Sequence, residues 1–217
     1  MRVNLSKTRV ARYKFIWDRL STRQREGTVE GFTDDFTFEE WVNATHEVRE
    51  VIDIHKAFLG RESEHLVERL KQVVRGHELY ILDDEGRSGR DYLFELAVAA
   101  RFARKGLDVR LDSLADVLVV HEGWKLFVEC KRLRSKNKVE ARVRDGMAQL
   151  ENRYRVESGA EDSHGILALS ISRIINPGFA ILRAASKLRL SRNARQHVRS
   201  FIDDSQRYWL RERRART

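Results

Sequence analysis

Leu107 to Arg132 reads LDVRLDSLADVLVVHEGWKLFVECKR. Two apolar runs, Ala115 to Val120 and Lys125 to Cys130, flank His121-Glu122-Gly123-Trp124, and a glycine in a short link between such runs is a hairpin signal. With the turn centred on Glu122-Gly123, His121 faces Trp124, and stepping outward one residue at a time brings Asp116 opposite Glu129. Side chains on a strand repeat every two residues, so Glu129, Lys131 and Asp116 share one face. Two carboxylates and one ammonium converge on an otherwise apolar sheet. Like charges directly opposite each other are unfavourable, so a cation belongs between them. Carboxylate oxygens on a rigid sheet suit a hard divalent ion such as Mg²⁺, and an ion held this way polarises phosphoryl oxygens and activates water. The chemistry expected is phosphodiester hydrolysis.

The whole chain is compatible with that expectation. Its 217 residues, 41% of them hydrophobic, allow one or two domains with a substantial core. Forty-two Lys and Arg against thirty-three Asp and Glu give a net charge of +9, which favours polyanionic partners, nucleic acid being the simplest. No run is apolar for the eighteen or more residues of a spanning helix, and the start, MRVNLSKTRVARYKF, lacks the apolar block of a signal peptide. A soluble, cytoplasmic protein with no membrane partner is expected. Cys130 is the only cysteine, which excludes an intrachain disulfide or a cysteine-based zinc site and gives the thiol a packing role in an apolar strand. The seven histidines form no HExxH or closely paired metal pattern, and His121 beside the turn reads as structural.

On either side of the hairpin, periodicity assigns mostly helix. Val10, Tyr13, Ile16, Trp17 and Leu20 step at three and four residues through a helix from Lys7 to Arg25. Gly27 to Asp35 reads as a loop, Thr37 and Glu40 as a capping box opening a helix from Phe38 to Leu59, and Ser63 to Val74 as a shorter helix. Leu79 to Leu82 reads as a short strand or helix edge, and Asp83 to Gly89 as a loop that marks a boundary. Asp91 to Lys105 is apolar on nearly every side, with Gly106 as its C-cap, so it should be buried against a sheet. Glu95 within it needs a partner, either a nearby arginine or a metal. Beyond the hairpin, Lys131 to Arg144 holds seven Lys or Arg and one Glu, and leads into a helix from Lys138 to Val156 with Val139, Val143, Met147, Leu150 and Tyr154 on one stripe. Gly165 to Ile175 reads as a buried strand, and strand, helix, strand implies a crossover with at least one parallel pair, hence a mixed sheet. The rest is helical and basic, with eleven Lys or Arg against three acidic residues from Arg183 to Thr217. The expected organisation is a helical N-terminal region over 1–82, an α/β core over 83–176 and a basic helical extension over 177–217.

A Glu on a buried helix, a strand pair carrying Asp and then Glu-x-Lys, a crossover helix and a further strand together resemble the PD-(D/E)xK phosphodiesterase superfamily, the restriction-endonuclease-like fold. The resemblance covers about Gly89 to Ile175, with Glu95 on the first core helix, Asp116 at the start of the second core strand and Glu129-Cys130-Lys131 on the third. Ala115 stands where the eponymous proline would be, but that proline supplies no ligand. Many recombination-type members carry Gln and Tyr on the next helix; Gln149 suits the first, whereas Tyr154 falls one residue beyond the usual spacing.

The resemblance implies a Mg²⁺-dependent DNA endonuclease, with Mn²⁺ able to stand in for Mg²⁺. Asp116 and Glu129 would hold one or two ions, with the Cys130 carbonyl a further ligand and Glu95 reaching the metal directly or through water. Lys131 would orient the attacking water and, with Gln149, complete the catalytic set. Arg132, Arg134, Lys136 and Lys138 would bind flanking DNA phosphates at the mouth of the site. Cutting both strands at once would need a homodimer. Two alternatives stay open: a nuclease-like nucleic-acid-binding or scaffold protein that does not cleave, and a nuclease for RNA or branched DNA.

Overall fold

The computed structural model describes residues 6, 8–26, 35–61, 63–77, 88–111, 115–156, 163–177 and 183–214, the side chains at 154–156, 207 and 209–214 excepted. The expected strand or helix edge at 79–82 and most of the loop at 83–89 lie outside these residues, as does most of the loop expected at 27–35.

Three helices come first: α1 (Arg9–Glu26), α2 (Phe38–Phe58) and α3 (Glu64–Val73). The capping box at α2 forms as expected, with the Glu40 amide donating to Thr37 Oγ1 at 3.1 Å and the Thr37 amide donating to Glu40 Oε2 at 2.7 Å. Ser63 caps α3 by accepting from the Leu66 amide at 3.2 Å.

Helix α4 runs Gly89–Ala103, starting two residues earlier than its apolar periodicity indicates. Asp91 is in its first turn, where its carboxylate accepts from the Ser88 amide at 2.8 Å and stabilises the positive end of the helix. Gly89 is a contact residue of this helix: a Cβ there would stand 2.6 Å from the Val73 carbonyl oxygen and closer still to that of Arg75. Only glycine lets α4 begin against the end of α3.

Strands β1 (Asp108–Arg110), β2 (Val117–His121), β3 (Trp124–Arg132) and β4 (Ser163–Ser170) form one sheet in that order, antiparallel except for the parallel β3–β4 pair. The sheet is mixed, as the crossover pattern requires. The β2–β3 register is the one read from the turn, from His121 opposite Trp124 to Val117 opposite Val128. Glu122 and Gly123 both have positive φ, 45° and 90°, which is the backbone of a two-residue turn matched to the twist of the strands.

After β3, a short 3₁₀ turn (Lys136–Lys138) leads into α5 (Val139–Val156), which crosses to β4. Strand β4 ends at Ser170, five residues before the apolar run does. Ile171, Ile174 and Ile175 suit a helical turn by their spacing, and in α6 (Ser172–Ile175) Ile174 is buried in a cluster with Leu133, Val139, Val143 and Phe201. The chain closes with α7, Lys187–Arg214. No helix among the described residues is long and apolar enough to cross a membrane.

Alternation along β3 divides the molecule. Leu126, Val128 and Cys130 join Val117 and Val119 against α4, in a cluster that also contains Ile54, Phe58, Leu66 and Val73 from α2 and α3. Helices α2 and α3 thus share an apolar cluster with α4 and the sheet. Phe127 faces the other way, packing with Leu118 and Leu150, so α5 covers the opposite face.

Candidate active site

Asp116 immediately precedes β2, one step beyond Val117–Val128, the last pair of the β2–β3 ladder. Its Oδ2 accepts the Cys130 amide at 2.8 Å, which fixes the carboxylate against β3. Glu129 is 2% exposed, on the α5 face with Phe127 and Lys131. Lys131 Nζ donates to Glu129 Oε1 at 2.7 Å and to Gln149 Oε1 at 2.5 Å, joining strand to helix. Arg153 Nη2 lies 2.8 Å from Glu129 Oε2, close enough for an ion pair but off the line of a hydrogen bond, so this buried oxygen has no hydrogen-bond donor among the described residues.

Electrostatics reflect the crowding. Burial first, then the Asp116 charge, push the Glu129 carboxyl above its ordinary pKa, while Lys131 and Arg153 pull it back. Opposed influences of this kind concentrate at functional sites. Burial, followed by the charges of Asp116, Glu95 and Glu129, pushes the Cys130 thiol up, so it stays neutral and packs as an apolar group.

The expected residues separate into three groups. Asp116, Glu129, Lys131 and Gln149 are brought together, and Arg153 joins them. Glu95 is close enough to act on Cys130 but sits on α4, across the sheet from Glu129, and its carboxylate is bound by Arg69 of α3. Arg69 also donates to the Leu111 carbonyl at 3.2 Å. The arginine expected as one partner of Glu95 is present, in Arg69. Arg132 and Arg134 turn inward to Asp91, at 3.1 and 3.0 Å, and Arg132 is only 8% exposed. Their charges tie the end of β3 and the residues just after it to the carboxylate that caps α4. Lys136 and Lys138, in the 3₁₀ turn, are exposed.

Arg153 is the residue that sequence reasoning passed over. It lies four positions after Gln149, hence on the same side of α5, and that spacing was the available signal. The side chain of Tyr154 lies outside the described residues.

Among the described residues no group of three or more His, Cys, Asp or Glu is placed to hold a metal ion. Two carboxylates still suit Mg²⁺, which keeps several waters and is commonly bound through one or two carboxylates plus substrate phosphates. The undonated Glu129 Oε2 and the all-oxygen chemistry of the pair fit that ion, and a soft metal would find no exposed thiolate here. Of Cys130, the chain itself engages the amide.

Cavities of about 500 and 480 Å³ lie beside α4, and neither is lined by Asp116, Glu129 or Lys131. No family model, curated protein or solved structure matches this chain.

Proposed function

We propose that this protein is a divalent-metal-dependent phosphodiesterase acting on nucleic acid, in its simplest form a DNA endonuclease. The observation that carries the reading is Asp116 bound to the Cys130 amide next to Glu129, with Lys131 bound to both Glu129 and Gln149. Like charges kept together on a rigid, partly desolvated surface are costly to fold around unless a cation uses them. A bound Mg²⁺ would supply Lewis acidity toward a phosphoryl oxygen and a more acidic water.

The chain's own residues do the rest. Asp116 is oriented by the Cys130 amide, so its free geometry is limited before substrate arrives. Lys131 presents a compact ammonium where negative charge grows on the attacked phosphate, and Gln149 keeps that ammonium from collapsing fully onto Glu129. Arg153 holds Glu129 from the helix side and limits the repulsion between the carboxylates.

The pairing of Glu129 with both Lys131 and Arg153 favours one other reading, a nucleic-acid-binding protein whose carboxylates serve only internal ion pairs. Incubating the full chain with labelled duplex, single-stranded and branched DNA and with RNA, in Mg²⁺ or in EDTA, separates the two. Cleavage of at least one substrate in Mg²⁺ and of none in EDTA is expected. Binding without cleavage under all conditions would leave the second reading.

A further inference from the structure

Helix α7 is treated differently from every other helix. Residues 187–200, half its length, are exposed at every position, and only from Phe201 onward does it pack on the body. That exposed half contains Lys187, Arg189, Arg192, Arg195 and Arg199 and no acidic residue. Among the described residues none of these five cations has an acidic partner. Buried and half-buried arginines elsewhere are paired: Arg9, Arg12, Arg69, Arg90, Arg132, Arg134 and Arg153 all sit on carboxylates. Other exposed cations without an acidic partner among the described residues, such as Arg49, Lys56 and Lys105, are scattered, whereas α7 gathers five within fourteen residues.

The spacing adds direction. At roughly 100° and 1.5 Å per residue, Arg192, Arg195 and Arg199 fall on one stripe about 10 Å long, the reach of about three nucleotide steps along one DNA strand. Phe201, which anchors the helix, packs in the cluster that takes in Leu167 and Leu169, the β4 residues paired with Glu129 and Lys131. The exposed half thus springs from the same face as the carboxylate pair.

We infer that this half of α7 is a phosphate-binding rail, on which Arg192, Arg195 and Arg199 neutralise successive backbone phosphates of a nucleic acid engaged at the Asp116–Glu129 patch. The choice of nucleic acid among polyanions rests on the phosphodiesterase reading; the cationic surface does not. An anionic membrane is a poorer match, because an interfacial helix needs a continuous apolar face with aromatic anchors, and Phe201 is already spent on the core. The exposed apolar residues that remain, Leu188, Leu190, Val198 and Ile202, are aliphatic and interleaved with the arginines.

The test is fluorescence anisotropy of a labelled 20-base-pair duplex with the full chain in EDTA, titrated at 50–200 mM NaCl. Each neutralised phosphate contributes about 0.9 to the slope of log K against log salt on duplex DNA, so R192Q/R195Q/R199Q should lower that slope by about 2.7 and weaken binding at the low-salt end at least about tenfold. The charge-matched control R49Q/K56Q/K105Q, on α2 and just after α4, should leave the slope nearly intact. Equal losses in the two triple variants would reduce the effect to net charge and overturn the rail. So would an unchanged slope in the α7 variant, or loss of binding to phosphatidylglycerol vesicles with DNA binding untouched. Cleavage is scored separately: a rail that passes while the wild type never cleaves sinks the phosphodiesterase reading alone, and cleavage with an unaltered slope sinks the rail alone. Circular dichroism verifies that α7 stays helical in the variants.

Discussion

The two faces of β3 are built from alternate residues of one nine-residue strand, yet they do opposite work. On the α4 side, Leu126, Val128 and Cys130 close an apolar core, and the buried Glu95 carboxylate is neutralised by Arg69. On the α5 side, Glu129 and Lys131 stand among Asp116, Gln149 and Arg153, in a set of charges arranged around a pair of acids. On the proposed reading, the difference teaches that a single strand separates stability from chemistry by its pleat alone. Glu95, bound by Arg69, falls with stability on that reading.

The sharpest way to break that division is at Arg69. Arg69→Met should cost about 3–5 kcal/mol, since it strands the buried Glu95 carboxylate, and a urea midpoint reads the loss. A stable Arg69→Met variant with reduced cleavage would instead move Glu95 to the chemical side. Cys130→Ser should cost about 1–3 kcal/mol by placing a hydroxyl in the α4 core, while leaving cleavage per folded molecule nearly unchanged. Direct titration of Cys130 with a thiol reagent should be slow until the protein unfolds.

Glu50 sharpens the comparison through pH. Burial, then the neighbouring Glu47 charge, raises its pKa, although His46, Arg101 and Arg132 offset part of this. A carboxyl whose folded pKa exceeds its unfolded one keeps its proton longer in the folded state, so stability falls as pH rises from the ordinary carboxylate range through the raised value. Glu50→Gln should flatten that decline when thermal midpoints are compared across pH, and an unchanged profile would remove Glu50 as its source. The smallest effect is expected at the turn common to both faces. Glu122 adopts a positive φ that costs a non-glycine residue about 1 kcal/mol, so Glu122→Gly should raise stability by up to that amount, readable as a modest rise in Tm.

Much of this arrangement was legible in the sequence because short-range rules govern it. The Glu122-Gly123 turn sets the β2–β3 register from His121–Trp124 to Val117–Val128, and the alternation along β3 sets Lys131 beside Glu129. What escaped depends on contacts between distant segments. Arg69 reaches Glu95 across 26 positions and Arg132 reaches Asp91 across 41, and no local pattern distinguishes either arginine from a solvated one. Arg153 was within reach by its spacing from Gln149, but only the docked rotation of α5 turns it toward Glu129. The end of β4 was misjudged because SISRII continues the apolar run while its isoleucines already follow helical spacing.

Single-turnover cleavage of labelled DNA in Mg²⁺ by the wild type, Asp116→Ala, Lys131→Ala and Glu95→Gln, each checked for folding, tests the division of the sheet most directly. Asp116→Ala should lose several kcal/mol of transition-state stabilisation, about 10³-fold in rate, and Lys131→Ala about 10²–10³-fold, with Glu95→Gln close to wild type once corrected for its folded fraction. Wild-type rates in Asp116→Ala and Lys131→Ala, or a loss confined to Glu95→Gln, would contradict the assignment of the chemistry to the α5 face.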